Sequence, residues 1–239
     1  MLPVTIGDAV LYHGDALVIL QSIKSDLIVT DPPYRLTSGG GTPNDGRRMS
    51  GKFNPTEYNN NGNIVDCDID WSDFMPLCYQ SLNDNSHAYV MCNNRHIQNM
   101  LNSAEESGFR FHNMLVWDKG NATPNRFFMK NCEFTGFFYK GKAKYINDCG
   151  AKQLLYVPQE SYGDHPTTKP VMLMQHYIEM SSKLGDTVLD PFMGSCSTGY
   201  ASLKSGRKFI GIEKSEKYFN LSVKRIKEFY DNNHQDKFL

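Results

Sequence analysis

Long apolar runs are missing from this chain of 239 residues. No stretch reaches the roughly 18 residues that a membrane-spanning helix needs, so no span is expected. The opening residues, MLPVTIGDAVLYHGD, carry neither a basic stretch nor an extended apolar core, and no secretory leader is expected there. Cysteine pairs at metal-binding spacing are missing too. Cys67, Cys78, Cys92, Cys132, Cys149 and Cys196 form no Cys-x-x-Cys motif, which argues against a zinc site and fits a reduced, cytoplasmic setting. Neither sign of charge dominates: 25 Lys and Arg stand against 26 Asp and Glu, a net charge of −1. A polyanion partner would have to be met by a local basic patch rather than by the whole surface. Internal repeats and low-complexity tails are absent.

What is present is an ordinary globular composition, 40% hydrophobic and 21% charged, at a length suited to one large α/β domain over residues 1–239. A strand at Val10–Tyr12 is followed by DALVILQSI, with helical spacing through Leu17, Leu20 and Ile23, and by a second strand through Leu27, Ile28 and Val29. Residues 36–66 are rich in Gly, Asn, Ser and Pro and read as a long flexible loop, too long to be inert in a compact domain without a reason. Helical spacing resumes in WSDFMPLCYQSL. A strand (HAYVMC), a helix closed by Gly108, and two strands (RFHNMLVWDK and EFTGFFYKGK) follow. Residues 145–164 are short, irregular and polar. The chain then predicts helix 170–183, strand 187–190, helix 197–205, strand 209–213 and helix 215–231. Such alternation predicts an α/β fold, a doubly wound and mostly parallel sheet.

Two strand ends carry unusual chemistry. LIVTDPPY, residues 27–34, runs from an apolar strand straight into an acid, two prolines and an aromatic ring. The prolines end the strand and stiffen the turn, which places Asp31 and Tyr34 at the carboxyl edge, where open α/β sheets bind ligands. TVLDPFMGSCSTGYASL, residues 187–203, has an acid at Asp190, then small residues, then a helix whose free N–H groups can meet a ligand. Strand FIGIE ends in Glu213, placed to accept hydrogen bonds from ribose hydroxyls. Together these read as a nucleoside-binding unit. A third stretch, GDHPTTKPVMLMQHYI, opens a helix at Pro170. Its His165 has no second ligand at usable spacing, so no metal is expected.

Read together, DPPY early and HPTTKPVMLM, GDTVLDPFMGSCSTG and GRKFIGIEKSEKY late resemble the beta group of DNA amino-methyltransferases, in which the catalytic turn precedes the cofactor-binding half. The resemblance covers nearly the whole chain. It implies a seven-stranded, Rossmann-like class I methyltransferase fold in permuted motif order, with S-adenosylmethionine as cofactor. It assigns Asp31, Pro32, Pro33 and Tyr34 to catalysis. To the cofactor it assigns Asp15, His165, Thr167, Lys169, Asp190, Pro191, Phe192, Gly194, Ser195, Thr198 and Glu213. The implied partner is DNA, with the target base flipped out of the duplex. Arg35, Arg47, Arg48, Lys52, Arg126 and Lys130 are the candidate phosphate contacts.

The acid of DPPY leans the reading to adenine N6, because cytosine-N4 relatives more often carry Ser there. Cytosine-N4 or RNA methylation, or a degenerate DNA-binding partner subunit, stand as the competing readings. Where the family turn reads Gly-Ser-Gly, this chain has Gly194-Ser195-Cys196. A positive φ at Cys196 would cost about 1–2 kcal/mol. The 145–164 segment, where relatives carry target recognition, is very short. It implies a short or relaxed target sequence, or a second copy or specificity subunit.

Overall fold

The computed structural model describes residues 2–33, 69–123, 128–160, 162 and 168–235. Its nine-stranded sheet runs in the spatial order β1 (Val4–Ile6), β2 (Ala9–His13), β9 (Lys208–Glu213), β8 (Thr187–Asp190), β3 (Ser25–Thr30), β4 (Leu82–Cys92), β6 (Lys130–Tyr139), β5 (Arg110–Thr123), β7 (Leu154–Tyr156). Strands β2, β9, β8, β3 and β4 are parallel, while β6 pairs antiparallel with both β4 and β5. The expected seven strands are the longer ones. The two additions, β1 and β7, are three-residue strands at the two edges.

The parallel strands are apolar on both faces because helices cover both. Leu27 and Val29 of β3 face α4 (Val171–Ser181) in one core, and Ile28 faces the other, beneath α2 (Trp71–Ser81) and α3 (Ile97–Glu106). Tyr89 of β4 stacks on Tyr177 of α4 at 4.8 Å, joining sheet to helix. A third core lies between β2, β9, α5 (Ser197–Lys204) and α6 (Glu216–Gln235), built on Leu11, Phe209, Phe219 and Ile226.

Local chemistry explains several boundaries. DALVILQSI makes only a four-residue helix, α1 (Ala16–Ile19), before tightening into a 3-10 turn over Leu20–Ser22. Asp15 caps it, its carboxylate accepting the Leu17 N–H at 2.9 Å. Strand β4 begins at Leu82, five residues before the predicted HAYVMC, because it takes over directly where α2 ends. Gly108 closes α3 at φ +99°, as its spacing predicted. The expected loop over 36–66 lies outside the described residues.

Candidate active site

Four acids that are far apart in sequence share one edge of the sheet. Glu213 ends β9, Asp190 ends β8, Asp31 follows β3, and Asp15 lies two residues beyond β2. The four strands are consecutive neighbours and parallel, so all four carboxyl ends emerge together. From β3 the chain crosses to β4 on one side and from β8 to β9 on the other, so the crevice of this open α/β sheet lies at the carboxyl ends of β3 and β8.

At the first turn, Asp31 accepts a hydrogen bond on Oδ2 from Lys169 Nζ at 2.5 Å. Its Oδ1 is buried and has no hydrogen-bond partner among the described residues. Lys169 also pairs with Glu133 Oε2 at 3.4 Å, and Glu133 Oε1 pairs with Lys119 Nζ at 3.2 Å. Burial pushes the Asp31 carboxyl above its usual range; the Lys169 ammonium opposes that push and Glu133 adds to it. For Lys169, burial pulls downward, but Asp31 and Glu133 outweigh it and hold the ammonium above its usual value. Burial likewise opposes ionisation of Glu133, and the two lysines reverse that.

At the second turn, Asp190 is buried and accepts from Thr30 Oγ1 at 2.7 Å and from the Phe192 N–H at 3.1 Å. Burial is the main cause of its rise to about 6, partly offset by Thr30, Thr198 and Phe192. The turn backbone is braced on several sides. Glu213 Oε2 accepts the Gly194 N–H at 3.0 Å, and its Oε1 accepts the Ser215 N–H at 2.7 Å. From α6, Ser222 donates to the Gly194 carbonyl at 2.6 Å and Arg225 to the Ser195 carbonyl at 2.8 Å. Arg225 is itself buried and lies 4.2 Å from the centre of the Tyr162 ring.

Cys196 adopts φ +62°, ψ +36°, the left-handed conformation that a glycine would take without strain. Its side chain is fully buried in the third core, and burial pushes the thiol up to about 12 despite the pull of Arg225. The sulfur thus belongs to the packing beneath the turn. A Cβ on Gly199 would run into it.

The structure brings Asp31, Pro32, Pro33, Lys169, Asp190, Pro191, Phe192, Gly194, Ser195, Thr198 and Glu213 to this edge. Lys169, expected beside the cofactor, has its ammonium on Asp31. Asp15 stays near the edge but is engaged as a helix cap and in an open pair with Lys214 at 3.2 Å. Tyr34, Arg35, Arg47, Arg48, Lys52, Arg126, His165 and Thr167 lie outside the described residues, and Lys130 is exposed at the start of β6. Sequence reasoning missed Thr30, Glu133, Ser222 and Arg225, and it read Lys119 only as one of a span of basic residues suited to phosphate contacts. The only signal for Glu133 was an acid inside the apolar run NCEFTGFFY.

An acid-proline turn and a small-residue turn on adjacent parallel strands, with the acid turn first in the chain, define the class I methyltransferase fold in permuted order. A family model described as DNA methylase, the N6/N4 group, matches residues 25–224, and the chain belongs to that family. It is 29% identical over 243 residues to the type II methyltransferase M2.LlaDCHI of Lactococcus lactis subsp. cremoris, covering 92% of this chain and 89% of that protein. It is 28% identical over 240 residues to M2.DpnII of Streptococcus pneumoniae, covering 91% and 89%. Among solved structures, the M1.HpyAVI–SAM complex is similar at 29% identity and TM-score 0.68, over 91% of this chain and 99% of that one. The cytosine-N4-specific PvuII DNA methyltransferase, at 19% identity and TM-score 0.69 over 95% and 93%, shares the fold.

Proposed function

We propose that this chain transfers a methyl group from S-adenosylmethionine to the N6 amine of adenine in DNA. Asp31 carries the reading: an acid on a proline-stiffened turn, with one oxygen held by Lys169 and the other buried without a partner among the described residues. An aromatic amine is a weak nucleophile because its lone pair is delocalised into the ring. Asp31 Oδ1 accepts one N–H of the amine and the Pro32 carbonyl accepts the other. Two fixed acceptors favour a tetrahedral nitrogen, turn its lone pair out of the ring plane and stabilise the positive charge that grows there. Pro33 keeps the turn rigid. Tyr34 stacks on the base once it has left the duplex.

When bound, S-adenosylmethionine supplies an electrophilic methyl group on a sulfonium sulfur. The second turn suits such a group. Glu213 accepts the Gly194 and Ser215 N–H groups, and a carboxylate has acceptor capacity left for ribose hydroxyls. Gly194, Ser195 and Thr198 keep the approach to α5 narrow in side-chain volume, and Asp15, His165 and Thr167 complete the binding set by resemblance. Lys130 and the basic residues of the 36–66 loop, with Arg126, hold DNA phosphates. The short 145–164 segment reaches few base edges, so the target sequence is short or a partner subunit extends it.

The acid at Asp31 supports adenine over cytosine, and the intact pair of Asp31 and Glu213 supports an enzyme over a degenerate partner. Nucleosides released from DNA treated with this chain, resolved by mass, should contain N6-methyladenine. N4-methylcytosine as the sole product would overturn the choice of base. Tyr34→Ala should lose about 1–3 kcal/mol of base interaction, and Tyr34→Phe should keep most of it.

A further inference from the structure

The buried charges around Asp31 form an arrangement that methyl transfer alone does not require. Lys169 is nearly fully buried and stands between two carboxylates, 2.5 Å from Asp31 and 3.4 Å from Glu133. Glu133 reaches this point from β6, where the antiparallel pairing of Phe134 with Cys92 sets it beside the end of β4. Lys119, from the neighbouring strand β5, binds the far oxygen of Glu133. Two acids and two ammonium groups thus alternate in one file, Asp31–Lys169–Glu133–Lys119.

We infer that Lys169 and Glu133 are positioning residues that set the orientation and the protonation state of Asp31. This rests on Asp31 being the group that receives the target amine. Lys169 occupies Oδ2, which fixes the rotation of the carboxylate and leaves Oδ1 as its open acceptor. Lys169 also favours the ionised form, the only form in which both oxygens of Asp31 accept. Glu133 works in the opposite sense. It draws on the same ammonium and adds its own negative charge, so it weakens the hold of Lys169 on Asp31 and pushes the carboxyl toward its protonated form. The other titratable groups facing Asp31 are Cys92, at the end of β4, and Asp190, on β8. The Cys92 thiol is pushed up to about 12 by burial first and by Asp31 and Glu133 next, so it remains neutral. Asp190 is an acid that opposes ionisation of Asp31, and it is unchanged in the variants below.

The two residues therefore predict shifts of opposite sign. In the pH dependence of kcat, Lys169→Met should move the acid limb toward higher pH by about one unit or more, an activity loss of tenfold or more on that limb. Glu133→Gln should move the same limb toward lower pH. Lys169→Arg, which retains a charge, should keep the limb near its wild-type place. Affinity for S-adenosylmethionine, measured by calorimetry, should stay within about twofold for all three. Shifts of the same sign, or no shift, would overturn the inference. So would a loss of cofactor affinity in Lys169→Met with the acid limb unmoved, which would put Lys169 on the cofactor. Should Lys169→Met fail to fold, the sign of the Glu133→Gln shift decides.

A second measurement is free of any methyl acceptor. In the cofactor-free protein labelled with 13C at aspartate carboxylates, the Asp31 signal is assigned by its loss in Asp31→Asn. Its midpoint should move up in Lys169→Met and down in Glu133→Gln. A chain that methylates no adenine would refute the proposed function, while this titration would still decide the role of the two residues.

Discussion

Thr30 and Asp190, 160 positions apart in sequence, are joined by a 2.7 Å hydrogen bond across two adjacent parallel strands. Both side chains are buried. The bond ties the strand that leads into Asp31 to the strand that ends at Asp190. Thr30→Val keeps the shape and removes the donor. It should lower stability by roughly 1–3 kcal/mol at pH 7, where the acceptor is charged. The loss should shrink at pH 4.5, below the Asp190 midpoint of about 6, because a protonated carboxyl depends less on the donor. Urea denaturation at the two pH values tests this; an equal loss at both would mean that the bond does not serve the charged form.

Two buried groups set opposing pH slopes. Asp190 is raised from 3.8 to about 6, so the folded state holds the extra proton and stability from this group falls as pH rises from about 4 to 6. His87, whose ring lies 2.8 Å from Ser181 Oγ, is lowered by burial from 6.5 to about 4. Its unfolded form binds the extra proton, so stability from this group falls as pH drops from about 6.5 to 4. Each shift corresponds to roughly 3 kcal/mol, and the two nearly cancel in the wild type. Asp190→Asn should therefore make the protein more sensitive to acid than its parent, and His87→Gln less so. Stability measured between pH 4 and 7 checks both signs.

The halves of the site should come apart under mutation. Asp31→Ala should abolish methyl transfer and leave S-adenosylmethionine affinity nearly intact. Glu213→Ala removes the acceptor proposed for the ribose and a brace on Gly194, and it should weaken cofactor binding by roughly 1–3 kcal/mol. Calorimetric titration with the cofactor and methyl transfer to DNA, measured on both variants, separate the roles. The reverse pattern would exchange the two turns.

Cys196 and Gly199 should behave as a coupled pair. Cys196→Gly relieves about 1–2 kcal/mol of left-handed strain but gives up a buried side chain of similar worth, so stability should change by no more than about 1 kcal/mol. Cys196→Val, β-branched at the same φ, should lose roughly 1–3 kcal/mol. Gly199→Ala should lose roughly 1–3 kcal/mol, because the new methyl group meets Cys196 Sγ and the Phe209 ring at 2.7 Å. In the Cys196→Gly background that loss should shrink without vanishing, since Phe209 remains. A double-mutant cycle measures the coupling.

Much of this was legible in the chain. The alternation of helix and strand, the doubly buried strand at Leu27–Val29 and both turns were readable because their signals are local: periodicity, proline and small residues. The left-handed conformation at Cys196 was readable as a condition, from a residue standing where a glycine is usual. The edge strands β1 and β7 were not readable, because three residues are too few to show a period. Nor were the partners of the charged groups. Lys169 stood in a motif, but the carboxylates it pairs with lie 138 and 36 positions away, and only the sheet order brings them together. Arg225 carried no signal of its own within the predicted helix 215–231. Its burial under Tyr162 follows from how α6 is laid across the turn.

The distant pairings at this edge also fix when the site comes into being during folding. The small-residue turn belongs to a local β8–α5 unit and can form early, but the Thr30–Asp190 bond and the Lys169–Asp31 pair close chain separations of 160 and 138 residues. Contacts of such long range carry a large loop-closure entropy and form slowly. Glu133 adds a further condition, since it is positioned only after the antiparallel β5–β6 hairpin has docked on β4. The charge file around Asp31 is thus completed when the parallel and antiparallel halves of the sheet meet. A refolding chain should recover its helix content before the Lys169–Asp31 and Thr30–Asp190 pairings, and activity should return last.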